Sequence, residues 1–164
     1  MVPDRSLSHP QCYLREARDM VSFWRLRMPT QTLSITADYF IVKPGVFNLT
    51  NTERIKDPMS GTIETYTGSL VNYDPSQPGK WEIMGQIPGF YWVVAVGAPV
   101  DGKYPWAVVS DPHGVSNFVL ARDVKTFYSM YQSAIETVLH KEGFTKYWNK
   151  PRPTYQLGNC NYSW

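Results

Sequence analysis

Apolar and polar side chains alternate with a period of two through most of the chain up to residue 121. From Leu33 to Tyr39 the odd positions are apolar or aromatic and the even ones polar, the mark of a strand with one dry and one wet face. Lys43-Pro44-Gly45 is turn chemistry, and the alternation resumes from Val46 to Asn51. Asp57-Pro58-Met59-Ser60-Gly61 turns the chain into a longer strand, Thr62 to Val71, with Gly68 as its expected bend or bulge. Beyond the breaker Asp74 to Gly79, Lys80 to Met84 places Trp81 and Ile83 on one face, and Phe90 to Val96 is continuously apolar. Tyr104 to Ser110 follows the Asp101-Gly102 turn, and Ser116 to Ala121 follows Asp111-Pro112-His113-Gly114. With a further segment at Phe23 to Met28, these make eight strands at turn-bounded spacing. The pattern predicts an all-β fold: an eight-stranded antiparallel up-and-down barrel, in which closure removes the exposed edges.

The period then changes. Val124, Tyr128, Tyr131, Ile135 and Val138 recur at helical spacing, with Phe127, Ala134 and Leu139 beside them. Asp123 is placed to cap the start and Gly143 the end, which predicts one α-helix over about 124–142, packed outside the barrel. Residues 1–21 lack sustained periodicity and form an irregular arm, whereas 22–164 make a single domain whose tail, with Pro151, Pro153 and Cys160, wraps the outside.

Composition agrees with a folded β-rich chain: of 164 residues, 43% are apolar and 15% aromatic, enough for a core of respectable size. The same aromatics would also suit a pocket wall. Sixteen basic residues stand against fourteen acidic ones, a net charge of +2, with no basic stripe for nucleic acid or for a membrane surface. The longest apolar run, Phe90 to Val100, is interrupted by Gly97 and Pro99 and is too short to span a bilayer. Cys12 and Cys160 permit one bridge, arm to tail, and no Cys/His cluster suggests zinc. Two sequons, at Asn48 and Asn161, are glycosylation acceptors in a secreted chain, and Asn48 falls on the strand face opposite Phe47 and Leu49. Together with the terminal cysteines they tilt the reading toward an extracellular home. The opening residues, Met1 to Arg5, do not read as a signal segment, so either that segment is missing from this form of the chain or the protein stays inside.

Catalytic chemistry finds little footing. Ser110, Asp111 and His113 are a Pro-Gly turn cluster without a nucleophile elbow, and closeness in sequence is not triad geometry. No cysteine occurs between Cys12 and Cys160 to serve as a thiolate inside the barrel. Neither His9, His113 nor His140 falls on an inward strand position where it could ligate haem, and His140 reads as a helix-end residue. No catalytic residue, cofactor or metal is assigned.

From about Trp24 to Cys160 the chain resembles a lipocalin, most of all the apolipoprotein D-like group. The resemblance is carried by Ile35-Thr36-Ala37-Asp38-Tyr39 through the turn to Asn51, by Gly68 to Ile83, and by Tyr91 to Ala95, Trp106 to Val109 and Phe118 to Arg122. It implies a structural pair at the barrel floor, Trp24 beneath the planar cation of Arg122, with cation–π attraction of about a kcal/mol or more when desolvated. Departures are visible: Ser22 stands where the family has Gly, Arg25 follows the Trp, and the connection to Ile35 is short. Asp101 and Tyr104 echo the family's Asp-x-x-Tyr element only loosely. Ser34 stands where the group's second-strand cysteine would be, so a bridge from Cys160 forms to Cys12 or not at all.

Strand parity lines the cup with Ile35, Ala37 and Tyr39, with Phe47, Leu49 and Asn51, and with Trp81 and Ile83; Tyr91, Val93, Phe118 and Leu120 complete it. Tyr39, Asn51, Phe118 and Leu120 fall where the resembling family contacts its ligand. The resemblance therefore implies a non-enzymatic carrier of a small hydrophobic ligand: a fatty acid, sterol, retinoid or pigment. Asn51 and the Tyr39 hydroxyl would orient its polar end. The alternative is a filled barrel acting as a protein-interaction module, for which exposed Trp148 and Trp164 would serve; packing of Trp148 against the wall is the expectation if it is not.

Overall fold

The computed structural model describes residues 20–25, 32–154, 156 and 160, with side chains from Ile35 onward. Its strands are β1 (Met20–Arg25), β2 (Thr32–Lys43), β3 (Val46–Ile55), β4 (Thr62–Val71), β5 (Lys80–Gly85), β6 (Gly89–Val96), β7 (Trp106–Ser110) and β8 (Asn117–Ala121). A two-residue β9 (Arg152–Pro153) follows in the tail. Each of β2 to β8 pairs antiparallel with the next, forming a curled sheet in sequence order. β1 pairs with β8 through Val21, Ser22 and Trp24, and Met20 and Val21 also face Ala37 and Thr36 of β2. β9 joins the other stretch of β1, opposite Trp24 and Arg25.

The turns divide the sheet into two ends. The turn at 44–45 and the loops at 72–79 and 97–105 lie at one end, and the loops at 56–61, 86–88 and 111–116 at the other. Several boundaries differ from the sequence expectation. β1 is earlier than Phe23 to Met28, β3 runs on to Ile55, and β7 begins at Trp106 rather than Tyr104. β2 continues past Tyr39 through Phe40, Ile41 and Val42, an apolar run without alternation whose side chains are all exposed. Hydrogen-bonding to β3, not burial, keeps that stretch extended.

Gly68 is not a bulge. The β3–β4 register is continuous through Leu49↔Gly68. The glycine is needed on its other side, where a Cβ would lie 2.8 Å from the Met84 carbonyl oxygen of β5. Its partner Gly85 has φ +140°, a conformation closed to ordinary side chains, and a Cβ there would strike the Gly68 Cα at 2.8 Å.

Two cores lie on opposite faces of the sheet. The inner one joins Ala37, Tyr39, Phe47, Leu49, Leu70, Trp81, Tyr91, Val93, Ala107, Val109 and Leu120. The outer one joins Val94, Trp106, Val108, Val119 and Ala121 of the sheet to Phe127, Ile135, Leu139 and Phe144. All of β7 is therefore buried, with alternate side chains serving alternate cores.

The helical segment that covers the outer core is α1 (Val124–Thr126), a π-helical turn (Phe127–Tyr131) and α2 (Gln132–Lys141) in direct succession. Asp123 caps it, its carboxylate accepting from the Thr126 backbone N–H at 2.7 Å. At the far end Gly143 adopts φ +78°; its N–H reaches the His140 carbonyl and the Phe144 N–H the Leu139 carbonyl. This double bond pattern closes a helix, and burial of Phe144 with Leu139 supplies the accompanying apolar contact. The buried stripe differs from the expected one: Phe127, Ile135 and Leu139 are buried, while Tyr128 and Ala134 are exposed. The cause is the wide turn, in which the Gln132 N–H bonds Phe127 O five residues back. That extra residue keeps positions four apart in line where a plain α-helix would rotate them away.

Two hydrogen bonds tie the described part of the tail to the sheet. The Asn117 amide donates to Asn149 O at 2.6 Å, and the Gln156 amide donates to Ile35 O at 3.1 Å. Trp148 does not pack against the wall: it is 55% exposed, beside an even more exposed Tyr147 over which Arg152 stacks. No helix among the described residues is long and apolar enough to cross a membrane.

Candidate functional site

A pocket opens inside the curled sheet, toward the end bearing the 56–61 and 86–88 loops. It encloses about 170 Å³ of space, which widens to about 900 Å³ when the open solvent at its mouth is counted. β2 contributes Ile35, Ala37 and Tyr39 and β3 contributes Leu49, Asn51 and Glu53; Tyr66, Thr67 and Gly68 come from β4. Ile83, Ile87, Tyr91, Phe118 and Leu120 finish the wall. The pleat explains the selection apart from Thr67, because residues two apart on each strand share the concave face.

Of the residues that parity assigned to the cup, Ile35, Ala37, Tyr39, Leu49, Asn51, Ile83, Tyr91, Phe118 and Leu120 line the pocket. Phe47, Trp81 and Val93 do not. They face the same interior but lie toward the opposite end, where they are buried in the inner core and fill it. The Phe47 and Trp81 rings meet edge to face at 5.2 Å, and the indole N–H of Trp81 donates to Pro78 O at 2.9 Å. Parity gives the face of a side chain but not its depth.

Glu53, Tyr66, Thr67, Gly68 and Ile87 were not anticipated. Extending the β3 parity from Asn51 by two would have reached Glu53. The register that pairs Asn51 with Tyr66, and Leu49 with Gly68, carries the wall onto β4. Ile87 sits in the turn between β5 and β6, where no periodic signal exists. Glu53 is buried, at 5% exposure, and is the single charged side chain on the described lining. Its register partner is Glu64, whose carboxylate accepts from the Tyr66 hydroxyl at 2.6 Å. Arg54 falls on the opposite parity and donates to Gly61 O at 3.0 Å, tying down the loop at the mouth.

The most distinctive polar feature is a pair of phenols. Tyr39 and Tyr91 are 1% and 7% exposed, and their hydroxyl oxygens are 2.7 Å apart in a mutual hydrogen bond. Burial pushes both phenols well above their ordinary pKa, so each keeps its proton. Two hydroxyls carry two hydrogens, and one bond uses only one. A buried donor left unmade costs about 1–3 kcal/mol, so the second hydrogen is a standing demand for an acceptor.

The other candidates that the structure describes serve the fold. The Ser110 hydroxyl donates to Ser116 O at 2.9 Å. The Asp111 carboxylate accepts from the backbone N–H groups of His113, Val115 and Ser116, while the His113 side chain is exposed. All three thus belong to the β7–β8 turn. His140 is exposed in the last turn of α2. The Arg122 guanidinium Nε–H donates to Tyr104 O at 2.9 Å, and the side chain of Trp24 lies outside the described residues, as do Cys12 and Asn161. Among the described residues no three His, Cys, Asp or Glu side chains gather as a metal ion would require. Asn48 is exposed on the outer face, where its amide oxygen accepts from the Ser69 hydroxyl at 3.2 Å.

No protein-family model matches the chain, and no curated protein matches it in sequence. Solved structures do. Per a 4, a major allergen from cockroaches, is similar with a TM-score of 0.58 at 13% identity, over 91% of this chain and 97% of that one. Japanin from Rhipicephalus appendiculatus, solved bound to cholesterol, is similar with a TM-score of 0.56 at 10% identity, over 86% and 93%. Neither bears on the likeness to the apolipoprotein D group. What the curled antiparallel sheet, the flanking helix and these neighbours establish together is a lipocalin-like fold.

Proposed function

We propose that this chain binds a small hydrophobic ligand in the open pocket and carries it without transforming it. The observation that carries the reading is the pocket itself: a concave wall of Ile, Leu, Phe and Tyr side chains with a few polar groups, left unfilled above a packed floor of Phe47, Trp81 and Val93. Apolar area on such a wall is worth roughly 25 cal/mol per Å² when a ligand covers it. The cholesterol in Japanin supports a lipid-sized guest in a cup of this kind. In this reading β1, between β8 and β2, is the eighth stave that closes the barrel, and the chain is similar to the apolipoprotein D-like group. An extracellular site, a glycan on Asn48 and a bridge from Cys160 to Cys12 belong to the same proposal; peptide mapping of the protein from its source decides all three.

Diphenylhexatriene, an uncharged hydrocarbon fluorophore, tests the cavity. It should quench tryptophan emission saturably, with Trp81 directly beneath the pocket. Trimming the wall by Phe118→Ala with Ile87→Ala should weaken binding by about tenfold or more, while the circular dichroism spectrum stays unchanged. Ile87 is 57% exposed, so its loss does not strip the core. A linear, non-saturating response in the unmodified protein would overturn the carrier reading. The exposed Tyr147 and Trp148 would then favour the second reading, a surface for a protein partner.

A further inference from the structure

We propose that the pocket selects uncharged lipids ending in an alcohol or carbonyl oxygen, and discriminates against lipid carboxylates. This rests on the carrier reading and narrows it. The selecting group is the Tyr39–Tyr91 pair. Both residues line the pocket, both are more than nine-tenths buried, and neither hydroxyl bonds any described residue other than its partner. The pair therefore offers one O–H hydrogen and several lone pairs to whatever reaches it. An alcohol fits completely, accepting the spare hydrogen and donating its own to the other phenol oxygen. A ketone or aldehyde satisfies the donor alone.

A carboxylate fits at neither end of the cavity. At the phenols it would be stripped of water, and the described lining holds no Lys, Arg or His to compensate. The phenols offer it a single hydrogen, where a buried carboxylate calls for two or three. Turned the other way, it leaves the spare phenol hydrogen without an acceptor, the cost that an alcohol avoids.

Retinol and retinoic acid share one apolar body and differ at the end group, so they separate the two cases. Both are titrated into the full chain at about pH 8, far above the carboxylic range near 4, with diphenylhexatriene as a third probe carrying no oxygen. Retinol should bind about tenfold or more tighter than retinoic acid. In a Tyr39→Phe/Tyr91→Phe double variant retinol should weaken by about tenfold, while diphenylhexatriene binds as before and so reports an intact cup. The comparison of the two retinoids needs no variant and decides alone. Retinoic acid binding as tightly as retinol overturns the inference, and so does a double variant that keeps full retinol affinity. If diphenylhexatriene binds but the retinoids do not differ, only the selectivity falls; if none of the three saturates, the cavity reading falls with it.

Discussion

At the scale of single residues, two buried phenols concentrate the consequences. Tyr39 and Tyr91 have pKa values raised first of all by desolvation, and the Tyr91 hydroxyl bond only partly offsets this for Tyr39. A phenol whose folded pKa exceeds its unfolded value of about 10 leaves stability untouched below that pH. Above it, the unfolded chain releases protons that the folded chain retains, so stability falls as pH rises. Urea unfolding should therefore give a constant midpoint from about pH 7 to 9.5 and a steep decline beyond about 10. The double variant Tyr39→Phe/Tyr91→Phe should show a shallower decline, since both titrating groups are gone. An equally steep alkaline loss in that variant would mean that the phenols are not its source. The same residues also show what sequence can disclose. Alternation placed Tyr39, Tyr91, Phe47 and Trp81 on one concave face, and they are on it. It could not say that the first two border the open space and the last two plug the end, because depth depends on strand tilt and register across the sheet.

At the scale of elements, the helix shows the same division between what is local and what is not. The change of period at Val124, the cap at Asp123 and the stop at Gly143 are all written in short-range chemistry, and each occupies its expected place. The wide turn from Phe127 to Tyr131 has no such signature. It slips the stripe by a residue, burying Phe127, Ile135 and Leu139 and turning Tyr128 outward, because the outer face of β7 and β8 dictates which side chains fit. Strand ends depart from the apolar pattern for a related reason: hydrogen-bonding to a neighbour extends β2 and β3 past the point where their alternation stops. The cap itself is testable. Asp123→Ala should cost about 1 kcal/mol of unfolding free energy, typical of an N-cap deletion. Bonds to Thr126 hold the Asp123 carboxyl below its ordinary value of 3.8. Its contribution is therefore full above that value and fades as pH falls through the lowered folded pKa. Chemical denaturation at pH 7 and at about pH 2 measures both; a difference between Asp123→Ala and the parent that persists undiminished at the lower pH would count against the cap.

For the whole molecule, the decisive fact is that one sheet serves two cores. Ala107 and Val109 of β7 face the cup while Trp106 and Val108 face the helix, and on β8 Leu120 looks inward while Val119 and Ala121 look outward. Removing the helix would uncover the back of strands whose front forms the ligand wall, so neither core can melt while the other persists. Heat should therefore unfold the chain in one transition, with helical ellipticity and tryptophan fluorescence sharing a midpoint. A ligand that binds only the folded cup then stabilises the helix it never touches. At about one hundred times its dissociation constant it adds about 2.7 kcal/mol, which for a chain of this size raises Tm by about 5–10 °C. Both probes must move together by that amount. A helical signal that melts earlier, or that stays put while the fluorescence midpoint climbs, would show that the outer core is clipped onto the cup and not shared with it.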